Sequence, residues 1–539
     1  MTNIILTGFM GTGKTTIGQA VARQLDRPFV DMDDEIVARA GKPIPRIFAE
    51  DGEPAFRAIE AAVCADLSAQ DGLVVATGGG ALVNPTNRAT MQRTGVVICL
   101  DASPDEILRR VGGDDNRPLL NVPDPAARIT ELLAVRRAAY GAVPWHIETT
   151  GLSVDEIIAQ VIVLADTITL PVTHPGGSYD IHIGHGLLAY LGGALRAAGV
   201  KEGTAVAIVT NTVVGPLYAA QVEAALHNAG HRPFVCTIPD GEQHKTPDTV
   251  QTLYNQFLDH HFDRSGTVVG LGGGVTGDIA GFAAATFMRG THFAQVPTSL
   301  LAMTDASVGG KTGVDLPQGK NLVGAFKQPD VVLIDLDVLQ TLPETEFRSG
   351  MAELIKHGVI GDVGLFEALE NRESRISESV NFQSSTFNLQ PSMLARSIRV
   401  KIDIVEDDPF EHGRRAVLNL GHTSAHGLER VSNFTLRHGE AVSIGMVVAA
   451  RIAEAMERAE PELASELADM LTNWGLPVEV PPFNVNAIWN AMTLSDKKKR
   501  GKTLRWVLPR AIGDVVIVED VPEALVKQIM CEMGATNGE

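Results

Sequence analysis

The stretch Gly8-Phe-Met-Gly-Thr-Gly-Lys14-Thr15 fits the pattern G-x-x-x-x-G-K-[ST] between an apolar run and a helical pattern. Glycines such as Gly11 and Gly13 let backbone N–H groups close around phosphates, and a helix start adds positive partial charge. Lys14 can reach β- and γ-phosphates, the Thr15 hydroxyl can ligate magnesium, and Thr16 lies at the same phosphate end. Asp31-Met-Asp33 closes the next apolar run, and alternation along a strand puts both carboxylates on one face. At the carboxyl edge of a parallel sheet they would face the phosphate loop. The competing reading makes one of them a cap for the helical segment Asp34–Ala40. Thr77-Gly-Gly-Gly80, with Gly79 at its centre, lets backbone approach a ligand closely. Arg57, Arg117 and Arg136 are each, taken singly, ordinary surface residues, but arginine suits bidentate capture of carboxylate or phosphate.

A second set lies further along. Gly270-Leu-Gly-Gly-Gly274-Val-Thr-Gly277-Asp278 follows a strand pattern and precedes an alanine-rich helical stretch, which suits a pyrophosphate on backbone amides. Asp240-Gly-Glu242-Gln-His-Lys245 offers groups for a nucleoside, although by composition it is a turn. Thr298, Ser299, Asp305 and Lys311 gather around glycines, and Gly319-Lys320-Asn321 adds a cation and an amide. Glu353, His422 and His438 supply a Glu and two His, a ligand set that leaves a catalytic zinc with open positions. His422 and His426 also stand one helical turn apart, so spacing alone nominates that pair as well. The chain has 15 histidines, and spacing does not decide between them.

These side chains need scaffolds. Asn3–Thr7, Phe29–Asp31, Leu73–Thr77 and Val96–Leu100 have the character of buried strands, with helices predicted over Thr15–Leu25, Pro54–Gln70 and Ser153 to about Asp166. Such alternation argues for a parallel sheet with helices on both faces. Pro171-Val-Thr-His-Pro-Gly-Gly-Ser178 has linker composition. Strands are then expected near Tyr179–Ile183, Ala205–Thr210, Phe234–Ile238, Thr267–Gly270 and Val331–Asp335, followed by a mainly helical region with strands near Arg505–Leu508 and Val515–Val518. The organisation expected is a phosphate-loop domain over 1–166, a linker over 167–178, an α/β domain over 179–335 and a helical domain over 336–539.

Bulk properties narrow the class. At 539 residues the chain exceeds one hydrophobic core. A net charge of −20 argues against general nucleic-acid binding, and the basic run Asp496-Lys-Lys-Lys-Arg500 is by itself a solvated loop. Four scattered cysteines argue for a reducing compartment, and the first residues resemble neither a signal peptide nor a membrane span, so the cytoplasm is expected.

Over about Met1 to Asp166 the motifs resemble shikimate kinase: Gly8–Thr15, Asp31-x-Asp33, Gly52-Glu-x-x-Phe-Arg57, Gly78–Gly80, Asn116-Arg117-Pro-Leu and Arg136-x-x-x-Tyr140. The resemblance implies transfer of the ATP γ-phosphoryl to the 3-hydroxyl of shikimate. It places Thr15 and Asp31 near magnesium, Asp33 on the substrate hydroxyls as base, and Arg57, Gly79 and Arg136 around the carboxylate. Lys14 and Arg117 would face the nucleotide and the transferring group. The tail Tyr140-Gly-Ala-Val-Pro-Trp-His146 departs from the family's wording.

From about Tyr179 to Val521 the chain is similar to 3-dehydroquinate synthase, through Gly272–Asp278, Gln295–Thr298, Gly310–Gly313, Glu353–Gly358, Arg415-x-x-Leu-Asn419-x-Gly-His422 and Asp496-Lys497-Lys498. The resemblance implies an α/β NAD-binding domain and a helical metal-binding domain. It assigns zinc or cobalt to Glu353, His422 and His438, leaving His426 for the substrate phosphate and proton transfer. NAD is implied near Asp240, Glu242, Lys245, Gly273, Gly274, Asp278, Thr298, Ser299, Lys311 and Lys320. Substrate, 3-deoxy-D-arabino-heptulosonate 7-phosphate, is implied near Arg289, Asp305, Lys311, Asn321, Lys356, Arg415, Asn419, His426 and Lys497. A homodimer is implied as well. Ala425 stands where the family has glycine, and Gly427 where it has alanine. The rival on the same architecture is a polyol dehydrogenase or cyclitol synthase; a dehydrogenase would release NADH and would not need these lysines and arginines. A gluconate kinase, or a non-catalytic nucleotide module, fits the first motifs less well.

Overall fold

The computed structural model describes residues 2–111, 122–370, 389–495 and 504–537, arranged as two compact units. The first comprises the chain up to Thr167 together with Gly184–Thr204 and Gln221–Arg232. Its sheet is five-stranded and parallel: β1 (Asn3–Thr7), β2 (Phe29–Asp31), β3 (Val74–Ala76), β4 (Gly95–Asp101) and β5 (Trp145–Glu148), in the order β2-β3-β1-β4-β5. Every residue of β1 and β3 is buried, which is why these strands carry no polar alternation. Ile5, Val75, Val97 and Cys99 from the sheet join Met32, Ile36, Val63 and Ile107 from helices in one core. Ser153 caps the helix Val154–Ala165 through a reciprocal capping box with Glu156.

The second unit is built on a seven-stranded sheet. Its strands are β6 (Ile168–His174), β7 (Gly177–Gly184), β8 (Ala205–Asn211), β9 (Arg232–Ile238), β10 (Thr267–Gly272), β11 (His292–Pro297) and β14 (Val331–Asp335), in the order β6-β7-β14-β11-β10-β8-β9. A separate hairpin pairs β12 (Lys311–Leu316) with β13 (Gly319–Phe326), and another pairs β15 (Trp506–Ala511) with β16 (Asp514–Val518). Helices Glu344–Gly361, Pro391–Asp407, His422–Val431 and His438–Ala455 carry Glu353 and Lys356, Lys401, His422 and Glu429, and His438 respectively.

Three expectations need correction. The stretch 167–178 is not a linker: most of it is β6 and the start of β7, an antiparallel pair turning at Pro175-Gly176. Pro171 is tolerated because β6 is the edge of the sheet. Asp33 is not on a strand with Asp31; β2 stops at Asp31, and Met32–Ala40 is helix. Finally, the helical region does not form a compact unit of its own, since it shares one with 168–183, 205–220 and 233–335. Strand β11 and the β12–β13 hairpin carry glycine, proline or buried polar residues that mask their periodicity.

Two candidate active sites

In the first unit the turn after β1 is shaped by Gly8 at φ 131°, where a Cβ would lie 2.2 Å from the Leu100 carbonyl oxygen. Gly13, at φ 95°, opens the helix Lys14–Leu25, whose first turn has neither a capping side chain nor an acidic residue. Its N–H groups are therefore left for an anion. Lys14 Nζ donates to the carbonyls of Gly8 (3.0 Å) and Phe9 (2.9 Å), so the ammonium is folded over the loop.

Asp31 does two jobs. Its Oδ1 accepts from the Asp33 N–H (3.0 Å) as a helix cap, while Oδ2 accepts from the Thr15 hydroxyl (2.8 Å). The cap turn, rather than strand alternation, thus brings the two aspartates to one place. Asp33 opens to solvent, yet protein crowded around its carboxyl, more than the charge of Asp31, raises its pKa, with Lys14 opposing. A Cβ on Gly78 would lie 2.7 Å from Asp33 Oδ1, so the carboxylate rests directly against this loop. Arg136 Nη1 (2.9 Å) and Tyr140 Oη (2.7 Å) both donate to the Gly79 carbonyl, and Arg57 pairs with the buried Glu60 at 2.8 Å. Two guanidinium groups and a carboxylate therefore surround one glycine loop. Arg117 lies outside the described residues, as does Asn116.

In the second unit the helix Gly274–Thr286 begins after extended Gly273 without a side-chain cap, again exposing N–H groups at the carboxyl end of β10. Ser299 Oγ would be 3.4 Å from a Cβ on Gly273, and the Thr298 N–H donates to the Gly272 carbonyl at 3.0 Å. Lys245 is buried and bridges Asp278 Oδ2 (2.6 Å) and Asn321 Oδ1 (2.7 Å). Burial raises the Asp278 carboxyl to about 6 although Lys245 opposes it. Asp240 accepts from Asn211 at 2.6 Å, and Lys320 lies near Glu242 (3.5 Å) and Glu429 (4.0 Å). Arg289 adopts φ 66° just before Gly290.

Glu353 Oε1 lies 3.7 Å from His422 Nε2 and 3.6 Å from His438 Nε2. That oxygen is fully buried and has no hydrogen bond, while Lys356 Nζ touches Oε2. The three ligand atoms lie within 4.8 Å of one another, a convergence that suits a divalent cation. Burial pushes the His422 imidazole down to about 3, and Glu353 is held well below the usual carboxylate range by Lys356 against the effect of burial. His438 is up at about 10, since Glu353 and Glu429 outweigh its burial. His426 is exposed and stands edge-on to His422, with ring centres 5.6 Å apart. Asp305, Glu353 and His357 form an overlapping group, but Lys401 Nζ already holds Asp305 Oδ1 at 2.5 Å and Ser397 holds His357 Nδ1 at 2.8 Å.

Cations and amides border the acidic group. Lys356 donates to the Leu418 carbonyl (2.9 Å), Asn419 to that of Ala416 (2.9 Å), and the buried Arg415 to those of Pro409 (2.5 Å) and Gly309 (3.1 Å). Lys311 meets Glu411 at 2.6 Å. Lys497 lies outside the described residues. Gly427 packs against Met492, whose Cγ would be 2.4 Å from an added Cβ, and Ala425 is fully buried, so the exchanged small residues fit their neighbours.

Glu429, Lys401 and Glu411 were not foreseen. Glu429 continues the His422 and His426 face at helical spacing and lies 3.5 Å from His438 Nδ1, so a signal existed. Lys401 and Glu411 meet partners about a hundred residues away, and no local pattern marks them.

Family models match at 10–166 for shikimate kinase, 235–349 for 3-dehydroquinate synthase N-terminal and 350–499 for 3-dehydroquinate synthase C-terminal. The 3-dehydroquinate synthase of Microcystis aeruginosa is 45% identical over 364 residues, 67% of this chain and 98% of that relative. The chain belongs to the 3-dehydroquinate synthase family. Ahead of that part it carries a shikimate kinase domain, which makes it a bifunctional enzyme of the shikimate pathway. The synthase of a Synechococcus species is also 45% identical, over 68% of this chain and 98% of its own length. Among solved structures, 2-epi-5-epi-valiolone synthase from Streptomyces hygroscopicus, with NAD+ and Zn2+ bound, is 28% identical at TM-score 0.59, covering 67% of this chain and 98% of that one. Among the described residues no helix is long and apolar enough to cross a membrane.

Proposed function

We propose that the first unit phosphorylates the 3-hydroxyl of shikimate with ATP, and that the second converts 3-deoxy-D-arabino-heptulosonate 7-phosphate to 3-dehydroquinate and phosphate. The observation that carries the second assignment is the meeting of Glu353, His422 and His438 beside Lys356 and Arg415.

In the kinase, the first turn of Lys14–Leu25 and Lys14 itself receive the phosphates, with Gly11, Gly13 and Thr16 around them. Thr15 and Asp31 would hold magnesium. Asp33 takes the proton of the attacking hydroxyl, while Arg57 and Arg136 fix the carboxylate beside Gly79. Phosphoryl transfer rests on positioning and charge stabilisation, which this inventory supplies.

In the synthase, Glu353, His422 and His438 would hold zinc or cobalt, and NAD would lie along Gly273 and Gly274 beside Asp240, Glu242, Asp278, Lys245, Thr298, Ser299 and Lys320. Bound there, the metal would supply polarisation of a hydroxyl or carbonyl, and the nicotinamide would supply a hydride acceptor and donor. Around them Lys311, Lys356, Arg415, Asn419, Asn321, Arg289 and Lys497 bind phosphate and carboxylate, Asp305 binds hydroxyls, and His426 moves a proton at the phosphate. The same residues favour an anionic sugar over a neutral polyol. We place the protein in the cytoplasm as a homodimer, with shikimate kinase over 1–166 and the synthase beyond it.

The test is phosphate release from the heptulosonate phosphate with chelator, then zinc and NAD. Release that stops with chelator, returns with zinc and leaves no net NADH is expected. No release from loaded protein would overturn the synthase assignment. Shikimate-dependent ADP formation, measured separately, tests the kinase. Light scattering tests the dimer.

A further inference from the structure

The helix Pro125–Gly141 carries Arg136 and Tyr140 to the Gly79 loop, and what fixes its far end is not only kinase sequence. His146 Nε2 faces the carbonyls of Tyr140 (3.1 Å) and Val143 (3.0 Å), and its Nδ1 meets Asp101 Oδ2 at 2.6 Å. The Asp101 carbonyl in turn accepts from the Thr149 hydroxyl (2.8 Å), which also accepts from Arg110 (2.9 Å). Arg110 donates to the Gly11 carbonyl of the phosphate loop at 3.3 Å. One continuous set of bonds thus links the acid-binding helix to the phosphate loop.

Behind this set lies Gly184–Thr204, chain that follows β7 and belongs to the synthase part by sequence but to the first unit by packing. The helix Leu191–Ala197 presents Gly193 to the Pro144 carbonyl, which an added Cβ would approach to 2.3 Å. Tyr190 stands edge-on to Trp145 at 6.1 Å between ring centres, and Arg196 lies along Gly141, whose Cβ would be 3.1 Å from its Cδ. Glu202 binds both Arg137 and Arg196, tying the acid-binding helix directly to the segment. The contacted residues Gly141, Pro144 and Trp145 lie within the tail Tyr140–His146, which departs from the family's wording.

We propose that Gly184–Thr204 is a working wall of the kinase's acid-binding site, a positioning element that sets the orientation of Arg136 and Tyr140. This rests on the reading that Arg136 holds the shikimate carboxylate. A gap opened at the wall tilts the helix and weakens acid binding, while the phosphate loop, reached from the wall only at the far end of the His146–Asp101–Thr149–Arg110 chain and shaped locally by Gly8 and Lys14, is displaced less.

The test uses the full-length protein with Gly193→Val, assayed with shikimate and ATP varied separately. The shikimate KM should rise about tenfold with the ATP KM within about twofold, an effect well inside what misplacing a positioning group can cost. Tyr190→Ala, which leaves the backbone contact intact, should raise the shikimate KM by a smaller factor and serves if Gly193→Val does not fold. An unchanged shikimate KM in the folded variants, or an equal rise in both KM values, overturns the proposal. Arg136→Met separates the two claims. If it leaves the shikimate KM unchanged, the underlying assignment of Arg136 falls; if it raises the KM while the wall variants do not, only the wall is rejected.

Discussion

Glu353, Lys356, Arg415 and Lys245 are 0, 1, 2 and 4% exposed, whereas Asp33, Thr15 and Thr16 of the kinase site all open to solvent. The synthase site neutralises its charges inside the protein before any ligand arrives, each buried cation lying against a carboxylate, an amide or a carbonyl. The kinase site keeps its helix start and Asp33 open to solvent, with Lys14 resting on the Gly8 and Phe9 carbonyls. A change in the first kind of site removes chemistry and also strands a buried ion; a change in the second removes chemistry alone.

The largest effect is expected from Glu353→Ala. It deletes a proposed metal ligand and leaves Lys356 buried without its carboxylate, which should destabilise the synthase unit by about 3–5 kcal/mol. Elemental analysis should show the metal lost, phosphate release should vanish, and the melting transition should fall. By contrast Asp33→Asn should slow the kinase by about 10²–10⁴-fold with its melting temperature and the synthase rate unchanged. A comparable drop in stability for both variants would erase the distinction between the sites. His438→Ala should strip metal and synthase activity while kinase activity persists; retained metal would move the ligand role to His426. Glu429→Gln, which weakens the support of His438, should lower metal affinity by about 10–100-fold, read by chelator competition.

The smallest effect is a pH profile. Asp33 accepts a proton only when ionised, and its pKa is raised from the usual aspartate value of 3.8. Kinase kcat/KM should therefore fall as pH drops through a value above 3.8, and Asp33→Glu should move that limb. A limb that does not move would assign the base to another group.

Legibility followed the same divide. The phosphate loop was readable because strand, loop and helix are contiguous, so Gly8, Lys14 and Thr15 share one short window. The turn joining Asp31 to Asp33 was misassigned because a strand continuing to Asp33 and a cap at Asp31 predict the same neighbours. Pro175-Gly176 resembled a linker because a two-residue hairpin turn uses the same residues. In the second unit, Glu353, His422 and His438 come from different helices, and only the resemblance chose between His426 and His438. The contacts of Lys401 with Asp305 and of Lys311 with Glu411 join distant segments, so side-chain chemistry was visible but partnership was not.

The return of Gly184–Thr204 and Gln221–Arg232 to the first unit has a consequence for synthesis. A ribosome that has released Thr167 has not finished supplying that unit, which waits for Arg232 to emerge. At about 5–20 residues per second the delay lasts seconds. In the first part of that interval, until Tyr190 and Gly193 emerge, the back of the nascent kinase around Pro144 and Trp145 stays uncovered. Its completion is timed by translation of the enzyme that follows.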